Sequence, residues 1–265
     1  MREQLTSVWA TRLGVAASLI GSVMTLAQSG LYAQQPLTRA AQLVVVTTTG
    51  WNATTGELRR FVRDDVRSPW RRVGNVAPIV IGRTGLAWGV GFDRLATRDN
   101  PLTGPRKREG DGRSPAGVFT IGRAFGFAPA GEMGWLRLPY LRLRPSTECV
   151  DDTSSVHYNT VIDRNAVRRV DWHSSERMRE IAGYRLGVII NYNASPPTRA
   201  RGSCIFFHVW SGPHLTTAGC TALDATQLRR LAAWLDPRAR PVLVQVPVAV
   251  YARLRGEWEL PALDH

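Results

Sequence analysis

Cys220 and His208 are the side chains in this sequence best suited to covalent chemistry. A thiol attacks carbonyl carbon as its thiolate, so a nucleophilic cysteine needs a base or a cation beside it. His208 stands near the end of the apolar run Cys204-Ile205-Phe206-Phe207-His208-Val209-Trp210, and Cys220 follows in Thr217-Ala218-Gly219-Cys220-Thr221. A strand, a return containing Gly212 and Pro213, and a turn eased by Gly219 would bring imidazole to thiol. Successive amides around the sulfur would then form a site for an oxyanion. Taken singly, each residue has a plainer reading: a cysteine as a small buried hydrophobe, a histidine as a hydrogen-bonded core residue. The small polar setting of Cys220 predicts an exposed thiol, and a helix starting close behind at Asp224 would favour its thiolate form.

These residues resemble the motif of the YkuD-type L,D-transpeptidase catalytic domain. That motif is a His, a spacer, then Ser/Thr-x-Gly-Cys, usually with Arg or Asn two residues further on. His208, Thr217, Gly219 and Cys220 match it, and Ser114-Pro115-Ala116-Gly117-Val118-Phe119 resembles the family's Thr/Ser-Pro-x-Gly-x-Phe strand. The likeness spans roughly residues 41–255. It departs where Ala222 replaces the usual Arg or Asn, and where the spacer between His208 and Cys220 is shortened. The resemblance implies a compact sandwich- or barrel-like β domain and a cysteine transpeptidase acting on peptidoglycan stem peptides, as donor and acceptor, without a cofactor. Cys220 would be the nucleophile and His208 its base, with Thr217, Gly219 and Thr221 supporting the oxyanion site. Arg113 and Trp210, each in or beside a matched motif, are weaker candidates for substrate contact. If water resolves the thioacyl enzyme, the same site is an L,D-carboxypeptidase; if the site has decayed, the chain is a cell-wall binding protein.

Other polar residues offer rival or supplementary chemistry. His214, in the return between His208 and Cys220, is nearer the cysteine in sequence and competes as base, or serves as a substrate contact. His157-Tyr158-Asn159, behind the acidic Glu148-Cys149-Val150-Asp151-Asp152, would either line a cleft that receives ammonium and peptide groups or form a solvated loop. The histidines are numerous enough for zinc, but none shows the His-x-x-x-His or Cys-x-x-Cys spacing of common sites, and no metal is expected. A serine hydrolase lacks its Gly-x-Ser-x-Gly.

The elements that must hold these groups are mostly strands. Leu43–Thr48 is β-branched, Glu57–Arg63 mixes apolar and basic positions, and residues 52–56 between them read as a hairpin turn. Further strands are expected at 76–81, 117–121, 184–191, 204–210 and 241–246. Residues 94–114 read as a polar loop and 124–149 as irregular structure under a cleft. One helix is legible: Asp224 caps it in a capping-box relation with Gln227, Leu228, Leu231, Ala232 and Leu235 share a face, and Pro237 stops it. The result is a mainly β, α+β domain over 34–265 with one clear helix after Cys220.

At 265 residues, with 44% apolar and 21% charged, the chain can bury a core and does not read as disordered. A formal charge of +13, carried almost wholly by arginine, suits an anionic cell-envelope surface or a plain solvated face. Nucleic acid is not expected, because the arginines are scattered and no aromatic-plus-basic RNA signature occurs. Arg2 and Arg12, the uncharged run Leu13–Leu26, and small residues at Ala27 and Ala33 give the order of a secretory signal over 1–33, with a retained anchor as the alternative. The expected compartment is the periplasm. Oxidising conditions there would let two of three cysteines pair, most simply Cys149 with Cys204, leaving Cys220 free; the alternative keeps all three reduced.

Overall fold

The computed structural model describes residues 36–92 and 103–263. The signal segment expected over 1–33 lies outside the described residues, as does the 94–102 part of the polar loop. Among the described residues no helix is long and apolar enough to cross a membrane.

Strands dominate. In chain order they are β1 (Gln42–Thr48), β2 (Thr55–Val62), β3 (Arg71–Arg72), β4 (Ala77–Val80), β5 (Leu86–Trp88), β6 (Ser114–Gly126), β7 (Tyr140–Arg142), β8 (Thr147–Val150), β9 (Val161–Asp163), β10 (Ser175–Arg177), β11 (Leu186–Ile190), β12 (Phe206–Val209), β13 (Thr221–Leu223) and β14 (Val242–Pro247). β1, β14, β6, β11, β12, β13, β4 and β2 hydrogen-bond in that order, and β2 pairs back onto β1. The ring closes into a barrel, which removes the open edges a flat sheet would leave to aggregate. β1 is buried along its whole length, as its β-branched run demands. β14 is likewise buried throughout and lies parallel to it.

β6 is far longer than the strand expected at 117–121. It reaches Gly126 because one end pairs with β14 and the other with β11, across a register shift between Val188 and Ile190. Thus the stretch from 124 is not wholly irregular. Helix α1 (Ala225–Trp234) forms as expected: the Asp224 carboxylate accepts from Thr226 N at 2.8 Å and Gln227 N at 3.0 Å, and Leu228, Leu231 and Ala232 are buried. A second helix, α2 (Val248–Leu254), was not foreseen. Its β-branched sequence goes helical because Val250, Tyr251 and Leu254 then bury together.

A small second sheet, in the order β10-β8-β9, stands beside the barrel. Its hub is Glu148, whose buried carboxylate accepts from Trp172 Nε1 at 2.6 Å, Ser175 Oγ at 2.7 Å and Arg164 Nη1 at 3.2 Å. Those hydrogen bonds hold Glu148 below the usual carboxylate range although burial pushes the other way. The sheet is fastened to the barrel by a disulfide between Cys149 and Cys204. It is also fastened by Asn159, whose side chain donates to Tyr192 O at 2.9 Å and accepts from Cys204 N at 2.9 Å.

Candidate active site

Between the barrel and the small sheet lies a cavity of about 390 Å³, and both Cys220 and His208 are on its wall. β12 pairs in parallel with β13, setting His208 opposite Ala222. Phe206 N donates to Cys220 Sγ at 3.3 Å, which puts the sulfur against the start of β12. His208 is two residues further along the same face, about 7 Å on at a strand's rise. Phe207 and Val209 point the other way into the main core. His208 Nδ1 lies 2.9 Å from Val209 O. A carbonyl only accepts, so Nδ1 carries the proton and Nε2 keeps its lone pair.

Neither partner is charged at rest. The Cys220 thiol is 6% exposed, and burial pushes its pKa up, with Glu176 adding to the rise and Phe206 N–H, Tyr184 and Lys107 opposing it. Burial lowers His208, against a smaller pull upward from Val209 O. The expected exposed thiolate is therefore corrected to a buried neutral thiol, which donates to Cys204 O at 3.3 Å, on the same cavity wall as a neutral imidazole. The helix N-terminus does not help the sulfur, since β13 intervenes and the Asp224 carboxylate occupies the first-turn amides.

The turn before Cys220 is built by Thr217. Its hydroxyl accepts from Gly219 N at 3.1 Å and donates to Cys220 O at 2.7 Å. The Gly219 amide is thus a turn-former and not an open oxyanion donor. A Cβ on Gly219 would lie 3.1 Å from Arg113 O, which is why the smallest residue stands there. Thr221, expected to support the site, faces away and donates to Gln245 Oε1 at 2.7 Å inside the barrel.

Trp210 lines the cavity; His214 does not, and is exposed. Arg113 is turned from the cavity, its guanidinium donating to Leu86 O at 2.8 Å and Asn52 Oδ1 at 2.9 Å. His157, Tyr158 and Asn159 are also off the cavity wall. His157 packs edge-on against Trp172, Tyr158 hydrogen-bonds Glu109, and Asn159 fastens the backbone at 192–204. These three side chains hold the small sheet in place, while Asp151 of the same cluster lines the cavity. Among the described residues no three histidine, cysteine, aspartate or glutamate side chains group as a metal site.

A family model for the L,D-transpeptidase catalytic domain, YkuD, matches residues 59–246, more than half of the chain. The chain belongs to the YkuD family. No curated protein and no solved structure matches it. YkuD domains act on peptidoglycan stem peptides.

Two features of the YkuD strand motif explain themselves here. Ser114 Oγ accepts from Gly82 N at 3.0 Å and donates to Cys220 O at 2.9 Å, tying the barrel to the cysteine turn. Gly117 has φ +143°, and a Cβ there would lie 2.6 Å from the Phe92 ring. Ala222, at the position where the family resemblance leads one to expect Arg or Asn, is fully buried and pairs with His208 across the two strands.

Sequence reasoning missed Tyr184, Glu176 and Lys107, all on the cavity wall. Tyr184 Oη donates to Glu176 Oε2 at 2.6 Å, and its ring packs edge-on against His208 with centroids 5.3 Å apart. Lys107 is buried and bonded to Asp111 at 2.6 Å. Glu176 carries no motif at all; only a buried carboxyl in three dimensions reveals it. Gly183 was equally silent, yet a Cβ there would lie 2.6 Å from Val209 O and 3.1 Å from His208 Nδ1.

Proposed function

We propose that the chain is a periplasmic peptidoglycan L,D-transpeptidase in which Cys220 attacks the stem-peptide carbonyl preceding D-alanine. The observation that carries this reading is that the cysteine and histidine of the YkuD motif line one cavity, with His208 Nδ1 committed to Val209 O and Nε2 left as base. The thiol proton passes to Nε2 as the sulfur closes on the carbonyl, so the ion pair forms during attack. The amide of Cys220, adjacent to the sulfur by covalent geometry, is the first donor to the oxyanion. D-Alanine leaves with the proton from His208. An acceptor amine then resolves the thioacyl enzyme, giving a 3-3 crosslink when the amine is a diamino-acid side chain. Another crosslink or an exchanged stem results when the amine comes from elsewhere.

A second reading, an L,D-carboxypeptidase, is favoured by Ala222, which stands where the family resemblance leads one to expect Arg or Asn. Incubation with a disaccharide-tetrapeptide and mass analysis of the products separates them. Crosslinked dimer with released D-alanine supports transfer, tripeptide alone supports hydrolysis, and binding with neither product contradicts both.

A further inference from the structure

The proposed cycle contains one proton that His208 cannot place. A strongly basic amine acceptor, pKa about 10, arrives at neutral pH as ammonium. To become an amide nitrogen it loses two protons, one before its lone pair can attack and one from the tetrahedral adduct. His208 takes the second and returns it to the departing Cys220 sulfur, which restores the neutral pair. The first has no acceptor in that pair. Water, already neutral, makes no such demand.

The wall of the same cavity holds a candidate base. Glu176, on β10, lines the cavity with Cys220 and His208. Its Oε2 accepts from Tyr184 Oη at 2.6 Å. Tyr184 is 4% exposed, packs edge-on against His208 and lines the same cavity as Cys220. One tyrosine therefore joins the carboxyl, through its hydroxyl, to the imidazole, through its ring. We propose that Glu176 receives the acceptor's ammonium group and takes its first proton, with Tyr184 holding the carboxylate toward Cys220. This assignment rests on the transpeptidase reading.

The surroundings of Glu176 suit that task. Burial is the largest influence and raises its pKa, Tyr184 opposes, and Asp151 and Glu109 add repulsion, bringing it to about 7. An ordinary glutamate, at about 4.3, is a much weaker base toward an ammonium at about 10. Among the described residues the remaining charged groups on the cavity wall are Lys107, paired with Asp111, and Arg83, which is exposed. Cys220 and His208 are neutral at rest, so an ammonium beside Glu176 meets carboxylates first. The step balances: the carbon–sulfur bond breaks, the carbon–nitrogen bond forms, Cys220 regains its proton through His208, and Glu176 carries the other until solvent removes it.

The test uses Glu176→Gln in the full, disulfide-bonded chain and follows two half-reactions by mass spectrometry. These are formation of the Cys220 adduct from a tetrapeptide donor, and its decay with added amine. With Nα-acetyl-lysine at pH 7, decay is expected to fall about 100-fold more than adduct formation does, and the gap to close as pH approaches the amine's own pKa. With aminoacetonitrile, an amine already neutral at pH 7, decay falls no more than adduct formation. Equal losses with the two amines, or a loss confined to adduct formation, would overturn the assignment. Should that variant fail to fold, Tyr184→Phe replaces it. Losing the bond that lowers Glu176 moves the low-pH limb of aminolysis to higher pH, and an unmoved limb contradicts the proposal. If the parent chain forms no adduct, the transpeptidase reading itself fails and takes this assignment with it.

Discussion

At the residue scale the distinctive feature is that the proposed nucleophile, Cys220, rests protonated. A low-pKa cysteine reacts with any small electrophile, whereas a buried neutral thiol waits for a substrate that brings its carbonyl to the imidazole. Free Cys220 should therefore alkylate slowly with iodoacetamide at pH 7, and its rate should rise only above the usual thiol pKa of about 8.5. An inflection below pH 7 would mean a resting ion pair. His208 is lowered, so its imidazole stays an available base down to somewhat below pH 6.5 and is lost to protonation under its own pKa. How much of this was legible in sequence varied by residue. Cys220, His208, Thr217 and Gly219 stood out because their chemistry and spacing are local. Tyr184 and Glu176 did not, because their role comes from burial against a turn far away in the chain. Thr221 misled, since its neighbour Cys220 faces the cavity while its own hydroxyl reaches Gln245 on another strand.

At the element scale, the histidine's orientation depends on a turn without motif residues. The 3-10 turn Ala182–Arg185 lies against β12, and Gly183 leaves just enough room for Val209 O to accept a hydrogen bond from His208 Nδ1–H. Gly183→Ala should displace that carbonyl. We expect a loss of stability of about 1–3 kcal/mol and a fall in turnover of at least about tenfold from a freed imidazole; full activity in steady-state assays would contradict this. The small sheet escaped the sequence reading because strands of three and four residues with polar faces carry no period to recognise. The helix after Cys220 was legible because its cap and its apolar face are both local signals. β6 was underestimated because its far end is a strand only by virtue of pairing with β11. The Cys149–Cys204 bond links the small sheet to the approach of β12 across a sequence separation of 55. Reduction should lower stability by about 2–5 kcal/mol, seen as a drop in Tm with reductant, and an unchanged Tm would show that the hydrogen bonds of Asn159 suffice.

At the scale of the whole molecule, the barrel supplies the rigidity and the small sheet supplies the acidic side of the cavity. β12 and β13 are barrel staves; His208 is on β12 and Cys220 immediately precedes β13. Asp151 and Glu176 come from the lobe fastened beside it. Outside the cavity the surface is basic, with a formal charge of +13. Binding to isolated anionic sacculi should weaken steeply as salt rises from about 0.05 to 0.3 M, because the Debye length falls from about 14 Å to about 6 Å over that range. Salt-independent co-sedimentation would assign retention to the cavity alone.

The central claim is that Cys220 carries the acyl group of a stem peptide. Intact-mass measurement on protein mixed with disaccharide-tetrapeptide, followed by peptide mapping, tests it directly. The account predicts an adduct equal to the donor minus D-alanine, mapped to Cys220 and missing in Cys220→Ala. An adduct elsewhere, or D-alanine release that persists in Cys220→Ala, would contradict it.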